Sequence, residues 1–207
     1  MNRHRRRHLI ILGAVAFALC LLIASFGHRY ATALYLDEAA ARGHNTLGLA
    51  VTALRGQLAR YEKLPQLIAD DPDIKLLVSN PQDREKIDEV NHFLKQVNHL
   101  LESSDIYVML NDGVTIAASN FDQTPTFIGE NFSYRPYFHD ARDHGEGRFF
   151  ALGTTSLKRG YYFGAPIRTE TGVAGVVAFK IDLDAIESSW RGSDYEIIVT
   201  DREGIIF

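Results

Sequence analysis

A chain of 207 residues, 46% hydrophobic and 23% charged, has the composition of a globular protein, with room for one domain of common size and some additional chain. Its single cysteine excludes a disulfide framework and any cysteine-based metal site. Four arginines crowd into the first eight residues; without them, 18 basic side chains stand against 26 acidic ones, a balance that disfavours nucleic acid as a partner.

The opening "MNRHRRRH" is followed by "LIILGAVAFALCLLIASF", Leu9 to Phe26, which carries no charge. Eighteen helical residues at about 1.5 Å each span roughly 27 Å, close to the hydrocarbon thickness of a bilayer. The pattern predicts a cytoplasmic N-terminus at 1–8, a transmembrane helix at 9–26, and everything after about Gly27 outside the cytoplasm, because the arginines lie on the N-terminal side. A cleaved signal peptide is the competing reading, with "ATA" at 31–33 as its processing site, but the apolar run exceeds the usual length of such a segment. Leu19 stands before Cys20 where a lipidation signal needs a small residue.

From Tyr30 to about Arg60 there is no proline, and Leu47, Val51, Leu54 and Leu58 recur at helical spacing, so the membrane helix is expected to continue outward. Pro65 and "DDPD" at 70–73 punctuate it. A short helix is expected around Ile74 to Val78. A second long one runs from about Asp83, a suitable N-cap, to Glu102, with Ile87, Val90, Phe93, Leu94, Val97, Leu100 and Leu101 as its apolar stripe. His92 and His99 are two turns apart on that helix, about 10 Å, too far to share one ion, and no metal site is expected.

After Ser104 the period of the apolar residues falls to two. "DIYVML" and "VTIAAS" flank "NDG" as a hairpin. "GRFFALGTTS", then "GYYFGAPIRT" after "LKRG", and "GVAGVVAFKIDL" after "ETG" supply three further strands; a short helix at Pro136 to Arg142 has proline at its first position. The class is α+β with five antiparallel strands. Asp184 to Trp190 reads as an exit helix. "DYEIIVTDREGIIF" repeats the strand, acidic turn and strand of "YVMLNDGVTIA", so a second domain is expected to begin there and the chain to be part of a longer protein. The resulting division is an extracytoplasmic helical region at 27–104, a membrane-distal domain at 105–190, and the truncated start of a proximal domain at 191–207.

Three places carry chemistry suited to an anion. Arg135, in "NFSYRPYF", offers a planar fork able to hold a carboxylate by two bonds. In "VVAFKIDL", Val177, Phe179, Ile181 and Leu183 form one face of a strand and Val176, Ala178 and Lys180 the other; Lys180 is therefore either a surface residue or the cation of a pocket that the small Ala178 leaves open. Thr154 and Ser156, two apart, are expected on one face of their strand as hydroxyl donors. No "GxSxG" and no phosphate-cradling glycine loop occurs.

Taken in order after a membrane helix and a long helix, "FIGENFSYRPYF", "FALGTTSLKRGYYF" and "VVAFKIDL" resemble the double PAS-like (double Cache) sensor domains of bacterial receptors, and more closely those of the C4-dicarboxylate sensor histidine kinases of the DctB type. The resemblance implies a PAS-like distal domain that binds a small dicarboxylate of the succinate, fumarate or malate class through Arg135, Tyr137, Thr154, Ser156 and Lys180. It also implies a homodimer in the bacterial inner membrane and signalling to a cytoplasmic response regulator through a histidine kinase core outside these residues. ATP and Mg belong to that core, so neither a cofactor nor a catalytic residue is expected here. The tyrosine that the family often carries three residues before the arginine is Phe132 in this chain. Tyr161, on the neighbouring strand, is a further contact candidate. The same sensor could serve a chemoreceptor or cyclic-nucleotide output, or belong to a membrane-anchored solute-binding protein; an extracytoplasmic enzyme is the least favoured reading.

Overall fold

The computed structural model describes residues 3–101, 103–183, 197–200 and Gly204. The exit helix and the opening strands of a second domain, expected beyond 183, lie largely outside the described residues. The chain divides into two compact units, 1–51 and 52–207.

The first unit is almost wholly helical, occupied by α1, which spans Arg3–Ala59 without a break. Its apolar stretch is long enough and apolar enough to cross a membrane, and the side chains from Ile11 to Phe26 are all exposed.

The second unit is an α+β domain built on one antiparallel sheet. Its strands are β1 (Asp105–Leu110), β2 (Thr115–Ala118), β3 (Gly147–Leu152), β4 (Arg159–Thr169) and β5 (Gly172–Asp182), in the order β2-β1-β5-β4-β3. Both faces are covered. On one, Ile106, Val108, Phe163, Val177, Phe179 and Ile181 pack against residues of α2 (Leu64–Ala69), α3 (Pro72–Ser79) and α4 (Arg84–Leu101). Leu54 and Leu58, near the end of α1, join this core.

Local chemistry accounts for these helices. Asp71 caps α3 by accepting the Asp73 and Ile74 amides at 2.8 and 3.4 Å, and Asp83 accepts the Lys86 amide at 3.1 Å at the start of α4. The helix α2 departs from the sequence expectation, in which Pro65 acts as a breaker; in the first turn, however, the missing N–H has no helical partner to lose. Within α4, Leu100 is 84% exposed and falls outside the expected stripe. Asn91 is buried instead, and its Oδ1 accepts the Ala118 amide of edge strand β2 at 2.9 Å.

The opposite face positions the site. Its cover includes α5 (Pro136–His144), started by Pro136 at the first position and ended by Gly145 at φ 95°. Across the sheet, one row of paired residues runs Tyr107, Ala178, Gly164, Gly147, from large to absent side chains. The first turn of α5 lies where that row is empty: a Cβ on Gly147 would come within 1.9 Å of the Tyr137 carbonyl oxygen, and one on Gly164 within 2.7 Å of the same atom. Gly147→Ala must therefore push α5 off the sheet, and we expect it to lower the melting temperature by about 2–10 °C, from an overpacking cost of about 1–3 kcal/mol. Gly56→Ala, with open space around the added methyl, should leave the melting temperature unchanged or slightly higher; thermal unfolding by circular dichroism compares the two.

Candidate functional site

Arg135 is placed by its neighbours in sequence. The hairpin turn after β1 has Gly113 at φ 86°, and its carbonyl accepts the Phe132 amide at 2.9 Å, while the Asn131 side chain donates to the Asp112 carbonyl at 3.0 Å. This anchors the segment just ahead of the arginine. Pro136 then favours extended backbone at Arg135 (φ −79°, ψ 135°) as the N-cap of α5. The half-buried guanidinium donates through Nη2 to the Leu152 carbonyl at 3.1 Å and to Thr154 Oγ1 at 3.2 Å. It lies 5.2 Å from the ring centre of Tyr134, whose hydroxyl is 3.1 Å from the same Thr154 oxygen.

Lys180 is 1% exposed, so it is not a surface lysine. It occupies the α5 face of β5, paired across the sheet with Asp105 of β1 and Tyr162 of β4. Its ammonium donates to Ser156 Oγ at 2.8 Å and lies 3.7 Å from Asp105 Oδ2. Thr154 and Ser156 are not on a strand: β3 stops at Leu152, and both belong to a turn closed by Gly153 N–H to Lys158 C=O and Leu157 N–H to Gly153 C=O, each 2.9 Å. One turn thus presents two hydroxyls two residues apart, one held by Arg135 and the other by Lys180.

Tyr137 forms the wall. It is 1% exposed, stacks on Tyr162 at 5.0 Å with the rings 6° apart, and shares a 2.7 Å hydrogen bond with the Tyr107 hydroxyl. The five sequence-predicted residues divide between two hollows that share Phe127. Arg135, Tyr137 and Thr154 line a closed one of about 10 Å³, with Phe132 and Tyr162. Ser156 and Lys180 line a larger cavity of about 320 Å³, together with Asp105, Asn120, Lys158 and Asp182.

No protein-family profile matches the chain. It is 36% identical over 203 residues to the C4-dicarboxylate transport sensor protein DctB of Pseudomonas aeruginosa, covering 98% of this chain and 32% of that protein. It is 31% identical over 206 residues to the protein of the same name from Rhizobium meliloti, covering 100% of this chain and 33% of that one. The crystal structure of the V. cholerae histidine kinase DctB sensor domain superposes with a TM-score of 0.77 at 33% identity, over 80% of this chain and 64% of that one. This is the sensor fold of the DctB group. The chain spans about a third of the length of the curated DctB relatives it matches.

Within this DctB-type fold, several contacts escape sequence reasoning. Tyr162, not Tyr161, faces the site: Tyr161 points to the other core and packs on Phe163 at 4.9 Å. The two-residue period separates them, but only strand register says which parity is inward. Phe132 is 5% exposed against Tyr107 and Phe127, and the nearby phenol that reaches the arginine's hydroxyl partner is that of Tyr134. Asp105 lies 75 residues from Lys180 in sequence and becomes its partner only through β1–β5 pairing.

Burial governs the electrostatics of these residues. It pushes the Asp105 carboxyl up to about 6 against the pull of Lys180, and pushes Lys180 below the usual lysine range against Asp105 and Asp182. Burial likewise raises Tyr107 and Tyr137, so both stay neutral phenols able to donate. Among the described residues, no three His, Cys, Asp or Glu side chains are grouped to hold a metal ion.

The Tyr107–Tyr137 pair is testable as a unit. Tyr137→Phe leaves the Tyr107 hydroxyl buried without its partner and should cost about 1–3 kcal/mol in urea unfolding, whereas Tyr107→Phe combined with Tyr137→Phe removes both groups and should recover much of the loss.

Proposed function

We propose that this chain is the extracytoplasmic sensor part of a two-component sensor histidine kinase that binds a C4-dicarboxylate and signals across the inner membrane to regulate dicarboxylate uptake. The observation that carries the reading is the pair of cations bonded to one turn: Arg135 and Lys180 hold the hydroxyls of Thr154 and Ser156 on the Tyr137 side of the sheet. A dicarboxylate near neutral pH has two charges to desolvate, each costing several kcal/mol unless a cation and hydrogen bonds receive it. Arg135 is suited to one carboxylate as a planar fork and Lys180 to the other as a point charge, with Thr154 and Ser156 donating hydroxyl hydrogen bonds and Tyr137 closing the side. The two relatives named as C4-dicarboxylate transport sensors support the ligand class.

The N-terminal arginines and the exposed apolar helix support a cytoplasmic N-terminus, a span at 9–26 and a periplasmic location for the residues after about 27. Residues 105–190 are assigned to the membrane-distal domain and 191–207 to the start of a proximal one. Leu47 and Leu49 on α1, 52% and 74% exposed, favour a homodimer that covers them. On this assignment the kinase core, with its ATP and Mg, lies outside these residues and addresses a separate cytoplasmic response regulator. In this reading the ligand acts by binding two arrangements of the helices with different affinity.

Calorimetry of the full-length protein in nanodiscs tests the assignment with succinate, fumarate and malate against monocarboxylates and amino acids. At least one C4-dicarboxylate should bind, and Arg135→Ala and Lys180→Ala should each weaken it by about thirtyfold or more, the loss expected when one partner of a desolvated charge pair is removed. Unchanged affinity in both variants, or preference for an amino acid, would sink the assignment.

A further inference from the structure

The larger cavity contains a group that a site built only for anions would avoid. Asp105 sits beside Lys180, on the same face of the sheet and opposite it in register, and its side chain is 15% exposed. Any carboxylate that came to Lys180 would meet a second carboxylate there. Both cannot stay ionised at such a distance without a large cost.

The charges facing this pair can be counted by element. Lys180 and Asp182 come from β5, and Lys158 from the turn before β4, with its ammonium 3.8 Å from Asp182. From the segment at 120–127 only uncharged groups line the cavity, among them Asn120 and Gln123, while its Asp122 carboxylate is paired with Lys95; β1 and β4 also contribute the neutral phenols of Tyr107 and Tyr162. The adjoining hollow adds Arg135. Among the described residues, three cations and two carboxylates therefore line the two hollows, a surplus of one positive charge. A dianion brings the balance to one negative charge; a dianion with one proton brings it to zero.

We propose that Asp105 is the charge-balancing residue of the site: a dianionic ligand enters together with one proton from solvent, which Asp105 accepts as the ligand carboxylate replaces it beside Lys180. The inference rests on the dicarboxylate reading above and adds to it a specificity. A monoanion received by Arg135 alone needs no proton, whereas a dianion that also reaches Lys180 is held more tightly as the medium becomes more acidic, down to the pH at which the ligand itself is protonated. The direction agrees with burial, which pushes the Asp105 carboxyl up to about 6. At pH 7 Asp105 is then largely ionised, so the uptake is close to one proton per ligand bound.

Calorimetry of the full-length protein with succinate at pH 7, in buffers of different ionisation enthalpy, reads the proton directly. Wild type should take up about one proton per ligand. Asp105→Asn should take up close to none and bind about tenfold more tightly at pH 7, the factor set by one pH unit above about 6, with the two affinities converging by about pH 5.5. Binding by wild type without proton uptake, or uptake that persists in Asp105→Asn, would overturn the role of Asp105 while leaving the dicarboxylate reading intact. No binding of any C4-dicarboxylate by wild type at any pH would remove both. If Asp105→Asn does not fold, the wild-type uptake alone decides.

Discussion

Burial of the central strand on both faces is the constraint on which the rest of this domain depends. Strand β5 pairs with β1 on one side and β4 on the other, and from Gly175 to Ile181 every residue is buried. A strand so placed must read as nearly continuous hydrophobe, and "GVVAF" does. Lys180 interrupts it. A cation in that position has to find acceptors among the residues that the sheet and the 153–158 turn bring to it, and it finds Ser156 and Asp105. The polar site is therefore a consequence of sheet architecture, fixed by the same pairing that builds the core.

The two faces do different work. On one, α2, α3 and α4 contribute apolar side chains to a core whose residues from β1 and β4 alternate along their strands. On the other, the cover is short and mixed: one helix, a tethered segment ahead of it, and a turn. That face holds the aromatic cluster of Tyr107, Phe127, Phe132, Tyr137 and Tyr162, whose rings supply apolar area and whose phenols are placed to donate. Cations, phenols and hydroxyls meet there because the cover leaves space between its pieces.

Periodicity carries much of this fold into the sequence. The strands read from alternation, and the parity of Val177, Phe179 and Ile181 against Val176, Ala178 and Lys180 holds over that stretch of β5. Caps read equally well at Asp83 and Pro136 because they act within four residues. What stays hidden is whatever depends on pairing between distant segments. Asp105 meets Lys180 only through register, Tyr162 rather than Tyr161 faces inward only through the same register, and Asn91 satisfies Ala118 from another element altogether. Thr154 and Ser156 misread as strand residues for a related reason: a run of threonine and serine suits a strand or a turn, and the tertiary partners Arg135 and Lys180 are what seat them in this one.

The contact of Tyr137 with the sheet has a mechanical side. Its main chain rests where Gly147 and Gly164 leave no side chains, on β3 and β4, while its hydroxyl is bonded to Tyr107 on β1, beyond β5. The residue is thus pinned at both ends across four strands. The site therefore sets a wall braced across the sheet against a single closed turn, the six residues from Gly153 to Lys158, which carries both hydroxyls and is tied to both cations through them.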